Sequence, residues 1–315
     1  MSDPVRSPAD TVAALTPQRL GRIRMLLLDW YEEHGDDFPW RSRRDPYAAL
    51  VAAVCSQQTQ IARVLVLYEG WMAAFPTVEA AAGATRERVL RVWGRGGFPR
   101  RSVALHEASR ICLLEHDGAL PRDPEALLAL PGVGPFTAAI VRCYGFGEDA
   151  VAVDTNIVRV IGRLVFGDLQ PATETPPAAI ELAAARLLRP GTAARWNPAL
   201  MEYGAKVCSP RPRCLSCPVG HLCAARPRFL AGEAAEPVRA QPAFEGSNRQ
   251  WRGRILRELR APANEGGMRV ATLAARLASE DSERGRVRRL LLALRDDGLA
   301  WSRAGRCGLG EPPER

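Results

Sequence analysis

The chain has 315 residues, a formal net charge of +8 and a hydrophobic fraction of 47%. This composition is normal for a globular protein with one large domain or two smaller ones, and no apolar run approaches the ~18–20 residues that a membrane-spanning helix needs. Nearly all of the positive charge is arginine, because Lys206 is the only lysine. Since arginine binds phosphate through paired hydrogen bonds, we expect a polyanionic partner; the alternative is a generally basic, solvated surface.

The N-terminus and the cysteines indicate the compartment. The segment MSDPVRSPAD has no basic stretch followed by an apolar one, so a secretory signal is not expected. We therefore expect a cytoplasmic protein with reduced cysteines. Four of the eight cysteines fall within residues 208–223, and in a reducing compartment this clustering indicates a metal site rather than disulfides.

Helix signals run through the first two-thirds of the chain. Residues 1–15 are expected to be a frayed lead-in. Thr16 and Pro17 then form an N-cap and first-turn pair, and the same start signal recurs at Asp45-Pro46, Asp123-Pro124 and Asn197-Pro198. Because no period-two strand pattern appears before residue 230, residues 16–225 are predicted to be all-α, with about ten helices.

Two loops stand out among these helices. In VAAVCSQQTQ, an apolar run without acid or base ends in Gln57, Gln58 and Thr59. In LPGVGPF, Gly132 and Gly134 permit positive φ and let backbone amides approach a ligand at the start of the next helix. This hairpin suits a DNA phosphate, although a plain helix–helix turn would have the same sequence.

Asp154 and a cysteine cluster are the candidate reactive groups. Asp154 follows an apolar run and opens a helix, so it is either an N-cap or a buried catalytic carboxylate. A compact wrap with a single C-x2-C suits an iron–sulfur cluster at least as well as a structural zinc ion. His221 lies inside the wrap and is predicted to be a surface residue rather than a ligand. The four cysteines, spaced C-x5-C-x2-C-x5-C, are Cys208, Cys214, Cys217 and Cys223.

The C-terminal quarter has a different pattern. Residues 226–248 are rich in Pro, Ala and Gly without periodicity, so they are predicted to be a linker. Helical periodicity then returns in three short segments. These segments are 249–260, 270–278 and 282–296.

A β-hairpin is predicted to complete this part of the chain. The stretch GLAWSRAGRCGLG alternates apolar and polar residues around Gly305. Three helices followed by a hairpin predict a winged-helix-like module over residues 249–315. The third helix of this module would carry four arginines, which either contact DNA or form a solvated basic face. They are Arg284, Arg286, Arg288 and Arg289.

The ordered set LPGVG, VDTN and the cysteine wrap resembles the helix-hairpin-helix (HhH-GPD) DNA glycosylases, which include endonuclease III and the MutY-type adenine glycosylases. FPWR, DPY, QQTQ, WGRGGFPRR and MEYGAKVC are similar to the MutY branch in particular. The resemblance implies an all-α, two-lobed fold over residues 1–225, with a six-helix barrel and a cluster lobe built from both chain ends. DNA would lie across the cleft between the lobes, with the target base flipped into it. The C-terminal module resembles the winged-helix tail of actinobacterial relatives.

The resemblance also assigns roles to individual residues. Asp154 matches the family's catalytic carboxylate, which stabilises an oxocarbenium-like transition state, and Asn156 matches the Asn that organises the same site. The four cysteines match the ligands of a 4Fe–4S cluster, with zinc as the alternative. The predicted DNA contacts lie in the hairpin, in the polar pair that fills the gap left by the flipped nucleotide, and in WGRGGFPRR. They are Gly132, Val133, Gly134, Gln57, Gln58, Thr59, Phe98 and Arg100.

Three features depart from the MutY pattern. Ala53 stands four residues before Gln57, where MutY enzymes carry the Glu that protonates adenine, and such general acid catalysis contributes roughly 10²–10⁴-fold. Phe136 stands where bifunctional lyases have Lys, so Schiff-base lyase chemistry is not expected. Ala53 and Phe136 would make the predicted substrate pocket more apolar. The first cysteine spacing, x5, is one residue shorter than the usual x6.

The residues and the resemblance together predict a monofunctional base-excision-repair DNA glycosylase. It would act as a monomer on double-stranded DNA that contains a lesion or mismatch, at the bacterial nucleoid. Because Ala53 supplies no acid, the substrate is either adenine, with another acid as the proton donor, or a base that leaves without protonation, such as uracil or thymine opposite guanine, or a cationic alkylated purine. Two alternatives stay open: a non-catalytic lesion- or mismatch-binding protein, and a regulator that binds DNA through the winged helix and uses the cluster as a redox sensor.

Overall fold

The computed structural model describes residues 7–235 and 242–313, and most of these residues are helical. No helix within these two ranges is long and apolar enough to cross a membrane. The α-helices are α1 (Pro8–Ala13), α2 (Pro17–His34), α3 (Pro46–Ser56), α4 (Ile61–Ala74), α5 (Val78–Ala82), α6 (Arg86–Trp93), α7 (Arg100–Glu115), α8 (Pro124–Ala129), α9 (Pro135–Ile140), α10 (Thr155–Ile161), α11 (Pro171–Glu174), α12 (Pro177–Leu187), α13 (Ala193–Lys206), α14 (Arg226–Leu230), α15 (Asn248–Arg260), α16 (Val270–Leu277) and α17 (Asp281–Asp296). The strands are β1 (Met268–Arg269), β2 (Ala300–Arg303) and β3 (Arg306–Leu309).

Short irregular helices supplement these elements. Helices α9 and α10 each continue directly into a five-residue π-helical turn, Val141–Gly145 and Gly162–Phe166 respectively. Two 3-10 turns, Gly220–Leu222 and Pro262–Asn264, lie in the cysteine loop and after α15. The prediction of an all-α region without strands before residue 230 is confirmed for the described part of the chain.

Side-chain caps explain where several helices begin. The Thr16 hydroxyl accepts a hydrogen bond from the Arg19 backbone N–H at 3.2 Å, which starts α2 at Pro17. Asp123 likewise accepts from the Ala126 N–H at 2.9 Å at the start of α8. These caps satisfy backbone N–H groups that have no partner inside the helix, so the predicted start signals are correct at both places.

The start predicted at Asn197-Pro198 is wrong, because Pro198 lies inside α13. The cap of α13 comes from a distant position: the Asp149 carboxylate accepts hydrogen bonds from the Gly191 and Ala193 N–H groups, at 2.5 and 3.4 Å. Asn197 is fully buried and donates from Nδ2 to the Ala150 carbonyl at 2.8 Å. A cap supplied from more than 40 residues away leaves no local sequence signal.

The expectation of a frayed lead-in over residues 1–15 is also wrong for its second half. Ser7 caps helix α1 by accepting from the Asp10 N–H at 3.2 Å. Val12 and Leu15 are buried in the core that α2 and α12 share. Residues 1–6 lie outside the described residues. The predicted linker, 226–248, contains α14, and its residues 236–241 lie outside the described part.

The chain divides into two compact units, each built from two segments. The first unit is Met1–Ala49 with Pro135–Arg239, and the second is Leu50–Gly134 with Ala240–Arg315. The core of the first unit brings together apolar faces of α2, α10, α12 and α13. This division cuts the chain elsewhere than the predicted domain boundaries, 1–225, 226–248 and 249–315, which stay a prediction.

The second unit combines helices α4 to α8 with the C-terminal elements. Helices α15, α16 and α17 pack on an antiparallel sheet of order β1-β3-β2, with Met268 opposite Cys307 and Trp301 opposite Gly308. The β2–β3 turn is tight, since Ala304 and Gly305 both have positive φ, at 49° and 72°. The order of three helices, a short strand after the first and a terminal hairpin is that of a winged helix.

The C-terminal elements are docked on α6 and α7. Leu90 of α6 is part of the same buried core as α15 to α17. The Arg91 guanidinium donates to the Arg260 carbonyl at 2.7 Å. Gly310, with φ of 67°, runs so close to α6 that an added Cβ would lie 2.7 Å from the Glu87 nitrogen. The winged-helix-like part is therefore packed against this helical segment within the second unit.

Candidate active site and cluster loop

Asp154 caps α10 with a fully engaged carboxylate. Its Oδ1 accepts from the Ile157 N–H at 2.7 Å, and its Oδ2 accepts from Asn156 Nδ2 at 2.7 Å. Burial raises the pKa of Asp154, and these hydrogen bonds and the nearby charge of Arg159 oppose the rise. Asp154 is thus both the N-cap of α10 and a half-buried carboxylate, and each of its two oxygens accepts a hydrogen bond.

Arg159 connects Asn156 to the cysteine loop. Its Nη2 donates to Asn156 Oδ1 at 2.6 Å and to the Gly204 carbonyl at 2.7 Å, and its Nε donates to the Cys208 carbonyl at 2.6 Å. Gly204 is required here, because an added Cβ would lie 2.7 Å from the Asn156 Cβ. A continuous chain of hydrogen bonds therefore runs from Asp154 through Asn156 and Arg159 to the backbone of the first cysteine.

The four cysteines line one cavity in the first unit. Arg163, Arg226 and Phe229 also line this cavity. Burial raises the pKa of Cys208, Cys214 and Cys223, to about 11 in Cys223. His221 is exposed and is not part of the lining, as predicted. The shortened first spacing does not keep the four cysteines from facing a common space.

The charge around this cavity is positive. Arg163 is 1% exposed and forms no ion pair with any described carboxylate; it donates to the Ser209 carbonyl at 2.7 Å and lies 3.7 Å from the Cys208 sulfur. Arg226 donates to the Cys214 carbonyl at 3.3 Å. A buried cation without a carboxylate is costly unless an anion is bound beside it. The donor set and this charge fit a cluster of iron and sulfide held by four thiolates, whose net charge is negative.

A single metal ion fits the loop less well. Among residues 7–235 and 242–313, no group of three or more His, Cys, Asp or Glu side chains lies close enough together to hold one ion. A structural zinc ion needs four ligands at about 2.0–2.3 Å.

Two further motifs of the first unit meet at Glu202. This buried carboxylate accepts from Arg41 of FPWR at 2.5 Å and from Lys206 at 2.8 Å. It also accepts from the Asp36 N–H at 2.9 Å. The FPWR and MEYGAKVC segments thus form one ion-pair network that fixes the N-terminal segment against α13.

The two predicted pocket residues, Ala53 and Phe136, both lie in helices. Ala53 lies in α3, is 3% exposed, and accepts a hydrogen bond from the Ser56 hydroxyl through its carbonyl at 2.7 Å. Phe136 lies in the first turn of α9 and is half-buried. Phe136 belongs to the first unit and Ala53 to the second.

The predicted DNA-contact residues of the second unit lie on three adjoining segments. Gln57 Nε2 donates to the Gly132 carbonyl at 3.4 Å, which links the QQTQ loop to the hairpin. Gly132 has φ of 78°, and Val133 is buried, so only the backbone of Val133 is available to a ligand. Arg100 forms an ion pair with Asp297 of the C-terminal part.

Sequence reasoning missed the two arginines that organise the first unit. Asn156, Arg159 and Arg163 are spaced i, i+3 and i+7, which places them on one face of α10 and the turn that follows it. This spacing, after an acidic N-cap and before a cysteine wrap, was the available signal. Composition hid it, because arginine is common throughout the chain.

Comparisons with known proteins identify the family. Residues 51–185 match the model of the HhH-GPD superfamily base excision DNA repair proteins. The chain is 38% identical to an adenine DNA glycosylase of Mycobacterium tuberculosis over 272 residues, which cover 85% of the chain and 87% of that protein. It is 33% identical over 200 residues to a thymine/uracil-DNA glycosylase of Methanothermobacter thermautotrophicus, covering 62% of the chain and 90% of the relative. Among solved structures, a thermostable thymine-DNA glycosylase superimposes with a TM-score of 0.62 at 30% identity, over 68% of the chain and 99% of that structure.

Proposed function

The chain belongs to the HhH-GPD superfamily of base excision DNA repair proteins and is a DNA N-glycosylase that resembles the adenine-specific branch, and from this premise we propose that it releases a base that leaves without being protonated. Uracil or thymine opposite guanine, and cationic alkylated purines, have this property. The observation that carries the proposal is that Asp154 has a hydrogen-bonded, half-buried carboxylate while position 53 carries a buried alanine.

Asp154 is the proposed catalytic residue. Cleavage of the glycosidic bond leaves positive charge on the sugar, and a preorganised carboxylate stabilises that charge in the transition state. The hydrogen bonds from Ile157 and Asn156 hold the carboxylate in one orientation and favour its ionised form. Asn156 is a positioning residue in this scheme, and Arg159 holds Asn156.

The leaving base determines whether a second group is needed. Neutral adenine must gain a proton to depart easily, and a positioned acid contributes roughly 10²–10⁴-fold to such a step. Ala53 cannot supply that proton. Uracil and thymine depart as comparatively stable anions, and a cationic purine departs as a neutral molecule, so Asp154 alone suffices for them.

The four cysteines are the proposed ligands of a 4Fe–4S cluster. When bound, the cluster supplies four iron–thiolate bonds that cross-link the loop, and Arg163 and Arg226 balance its negative charge. The four cysteines that line one cavity, with Arg163 and Arg226 beside them, support this proposal. Iron and acid-labile sulfide in equimolar amounts in the purified protein are the expected result, and stoichiometric zinc without iron would contradict it.

The proposal includes a partner and an oligomeric state. We expect double-stranded DNA with a lesion or mismatch to bind a monomer. The hairpin backbone at Gly132 to Gly134 would bind phosphate, while Gln57, Gln58, Thr59, Phe98 and Arg100 would meet the distorted duplex. The absence of an amine at Phe136 supports a monofunctional enzyme, which leaves an intact abasic strand.

A panel of duplexes tests the proposal. Cluster-loaded protein is incubated in single turnover with adenine opposite 8-oxoguanine, uracil or thymine opposite guanine, and an alkylated purine, and each strand is analysed with and without alkali. We expect release from the uracil, thymine or alkylpurine duplexes, and strand cleavage only after alkali. Faster release of adenine than of every other base would contradict the proposed leaving-group rule.

One other function has a specific observation in its favour. Because Ala53 removes the acid, the chain could recognise a mispair without releasing a base. Tight, selective binding to one duplex of the panel without release from any of them would support this second candidate and rule out the first.

A further inference from the structure

Arg101, in the first turns of α7, holds two loops of the second unit at once. Its Nη1 donates to the carbonyls of Val54 and Cys55, at 3.0 and 3.2 Å, and also to the Gln57 carbonyl. Its Nη2 donates to the Thr59 hydroxyl at 3.1 Å. One guanidinium thereby binds the end of α3 and the QQTQ loop that follows it.

The same guanidinium binds the glycine-rich loop before α7. Nη2 donates to the carbonyls of Gly96 and Gly97, at 3.1 and 3.3 Å. The guanidinium carbon lies 5.2 Å from the Trp93 ring centroid and 5.4 Å from that of Phe98. Arg101 forms no ion pair with any described carboxylate, so all of its polar partners are backbone carbonyls and one hydroxyl. Arg101 therefore fixes the positions of these loops and does not neutralise an acidic side chain.

The carbonyls that Arg101 binds adjoin the two strained residues of these loops. Gln58 has φ of 51° and Phe98 has φ of 42°, and both are exposed non-glycine residues. The Gln57 carbonyl immediately precedes Gln58, and the Gly97 carbonyl immediately precedes Phe98. Left-handed conformations of bulky residues persist only where the surroundings fix them, and they concentrate at functional sites.

We propose that Arg101 is a positioning residue that holds Gln58 and Phe98 in these left-handed conformations, so that the two loops meet the duplex as one preformed surface. The proposal rests on the proposed function, in which both residues contact DNA. Preorganised groups recognise a distorted duplex without first losing conformational freedom. Loss of Arg101 should therefore weaken lesion recognition more than general affinity for DNA, which depends on phosphate contacts.

Arg100, the neighbouring arginine, has a different environment. Its side chain is mostly exposed and pairs with Asp297, which also pairs with Arg252. It touches neither loop carbonyl. The two adjacent arginines thus have different partners. Arg100 joins α7 to the C-terminal part, and Arg101 joins α7 to the two loops.

The test uses full-length, cluster-loaded Arg101→Met, with Arg110→Met as the matched control, since Arg110 is an exposed arginine on the same helix that pairs only with Glu107. The probe is a duplex with 2-aminopurine beside the target base, whose fluorescence rises when the target is unstacked. The target is whichever base the wild-type protein releases or binds selectively. We expect Arg101→Met to lose most of the fluorescence rise and to lower the affinity ratio between target and fully paired duplex by about 10²-fold. Arg110→Met should match the wild type.

Further variants separate positioning from folding. Arg101→Lys keeps the charge but cannot span both loops, so it should lose discrimination almost as fully. Thr59→Val removes one acceptor at nearly constant volume, and a drop of about tenfold in the ratio is expected from one lost hydrogen bond. Unchanged unstacking and discrimination in folded Arg101→Lys and Thr59→Val would overturn the proposal. A wild-type protein that neither unstacks nor discriminates any target would overturn the proposed function, and this inference with it.

Discussion

Helix α10 begins after Asp154 and helix α3 contains Ala53, and the side chains at these two positions differ in polarity and hydrogen bonding. At the head of α10, Asp154 is held by two hydrogen bonds and supported through Asn156 and Arg159. In α3, Ala53 is buried in an apolar helix and uses only its carbonyl. In the proposed mechanism, Asp154 stabilises positive charge on the sugar and no group at position 53 protonates the departing base, so the two tasks are separate.

The surroundings of the two positions reinforce the difference. Around Asp154, the backbone cap, the amide of Asn156 and the guanidinium of Arg159 all favour an ionised carboxylate against the effect of burial. Around Ala53, the nearest sequence neighbours are alanine, valine and Cys55, whose pKa burial raises to about 12. A thiol with that pKa stays protonated and is a poor acid at neutral pH. The α3 segment therefore offers no evident substitute for the missing carboxyl.

Asp154→Asn is expected to have the largest effect on base release. Asparagine is an equally good N-cap and can still accept from the Ile157 N–H, so the fold should survive. Without the negative charge, single-turnover base release should fall by at least about 10²–10³-fold, the scale of losing one preorganised electrostatic group. Retention of wild-type rates would place the catalytic carboxylate elsewhere.

The stability of Asp154→Asn provides an independent check. Burial raises the pKa of Asp154 in the folded state, so the folded protein loses stability as the pH rises through that pKa, where the unfolded chain ionises more readily. An uncharged asparagine removes this loss. We therefore expect a higher midpoint of thermal unfolding for the variant at neutral pH and little difference at a pH below the unfolded-state pKa of Asp. A variant that is less stable at neutral pH would show that the lost hydrogen bond from Asn156 Nδ2, which only an oxygen can accept, outweighs the cost of burying the charge.

Ala53→Glu tests whether a carboxyl group at position 53 allows adenine to be released. We expect adenine release opposite 8-oxoguanine to rise by about 10²-fold or more, within the range that a positioned general acid provides. Ala53→Gln is the matched control, because it adds the same volume to a buried position, at a similar packing cost of about 1–3 kcal/mol, without a titratable proton. The single-turnover rate of adenine release is the measurement.

Comparing the adenine-release rates of the two variants shows whether the missing acid limits the reaction. Equal rates for Ala53→Glu and Ala53→Gln would mean that a missing proton donor does not limit adenine release. A gain confined to Ala53→Glu, with a fall at high pH as the glutamic acid ionises, would confirm that α3 lacks only the acid. The uracil and thymine duplexes should respond little, since their bases need no proton.

Sequence reasoning reached the family and the identity of the candidate residues because these depend on short ordered motifs. LPGVG, VDTN and the cysteine wrap each lie within about 16 residues, where spacing is informative. What it missed depends on tertiary contacts: the Asp149 cap of α13, the Arg159 link to Cys208, and the Arg101 bonds to two loops. Arginine is too frequent in this chain for any single one to stand out, and no local pattern marks a partner 40 or more residues away.

The C-terminal part shows the same limit. Its helices and hairpin occur where periodicity and Gly305 predicted them, since those signals are local. The sequence did not indicate that Leu90 of α6 completes its core or that Asp297 binds Arg100. The arginines of α17 differ in their contacts. Arg286 binds the Asn248 side chain at 2.7 Å, whereas Arg288 and Arg289 are exposed.

Arg159→Met is expected to have the smallest effect of these changes, because it acts on Asp154 through Asn156. Arg159 lowers the pKa of Asp154 by its charge and by holding the amide that binds Oδ2. Its loss should raise that pKa further, so the acidic limb of the pH–rate profile for uracil release should move to higher pH. Loss of the hydrogen bond to Asn156 Oδ1 predicts a rate lower by about tenfold on this limb and a smaller change at high pH, where Asp154 is ionised in both proteins.

Arg159→Lys and Arg195→Met separate the causes of such a shift. Lysine keeps the positive charge near Asp154 but cannot reach Asn156, Gly204 and Cys208 together, so the limb should move only part of the way. Arg195 lies on the exposed side of α13, where it pairs with Glu32, and its loss should leave the profile unchanged. A uniform drop at every pH in Arg159→Met, with reduced iron content, would instead place the effect in the cysteine loop through the Cys208 carbonyl. The pH limb therefore decides whether the link from the cysteine loop to Asp154 acts on the carboxylate or only on the fold of the loop.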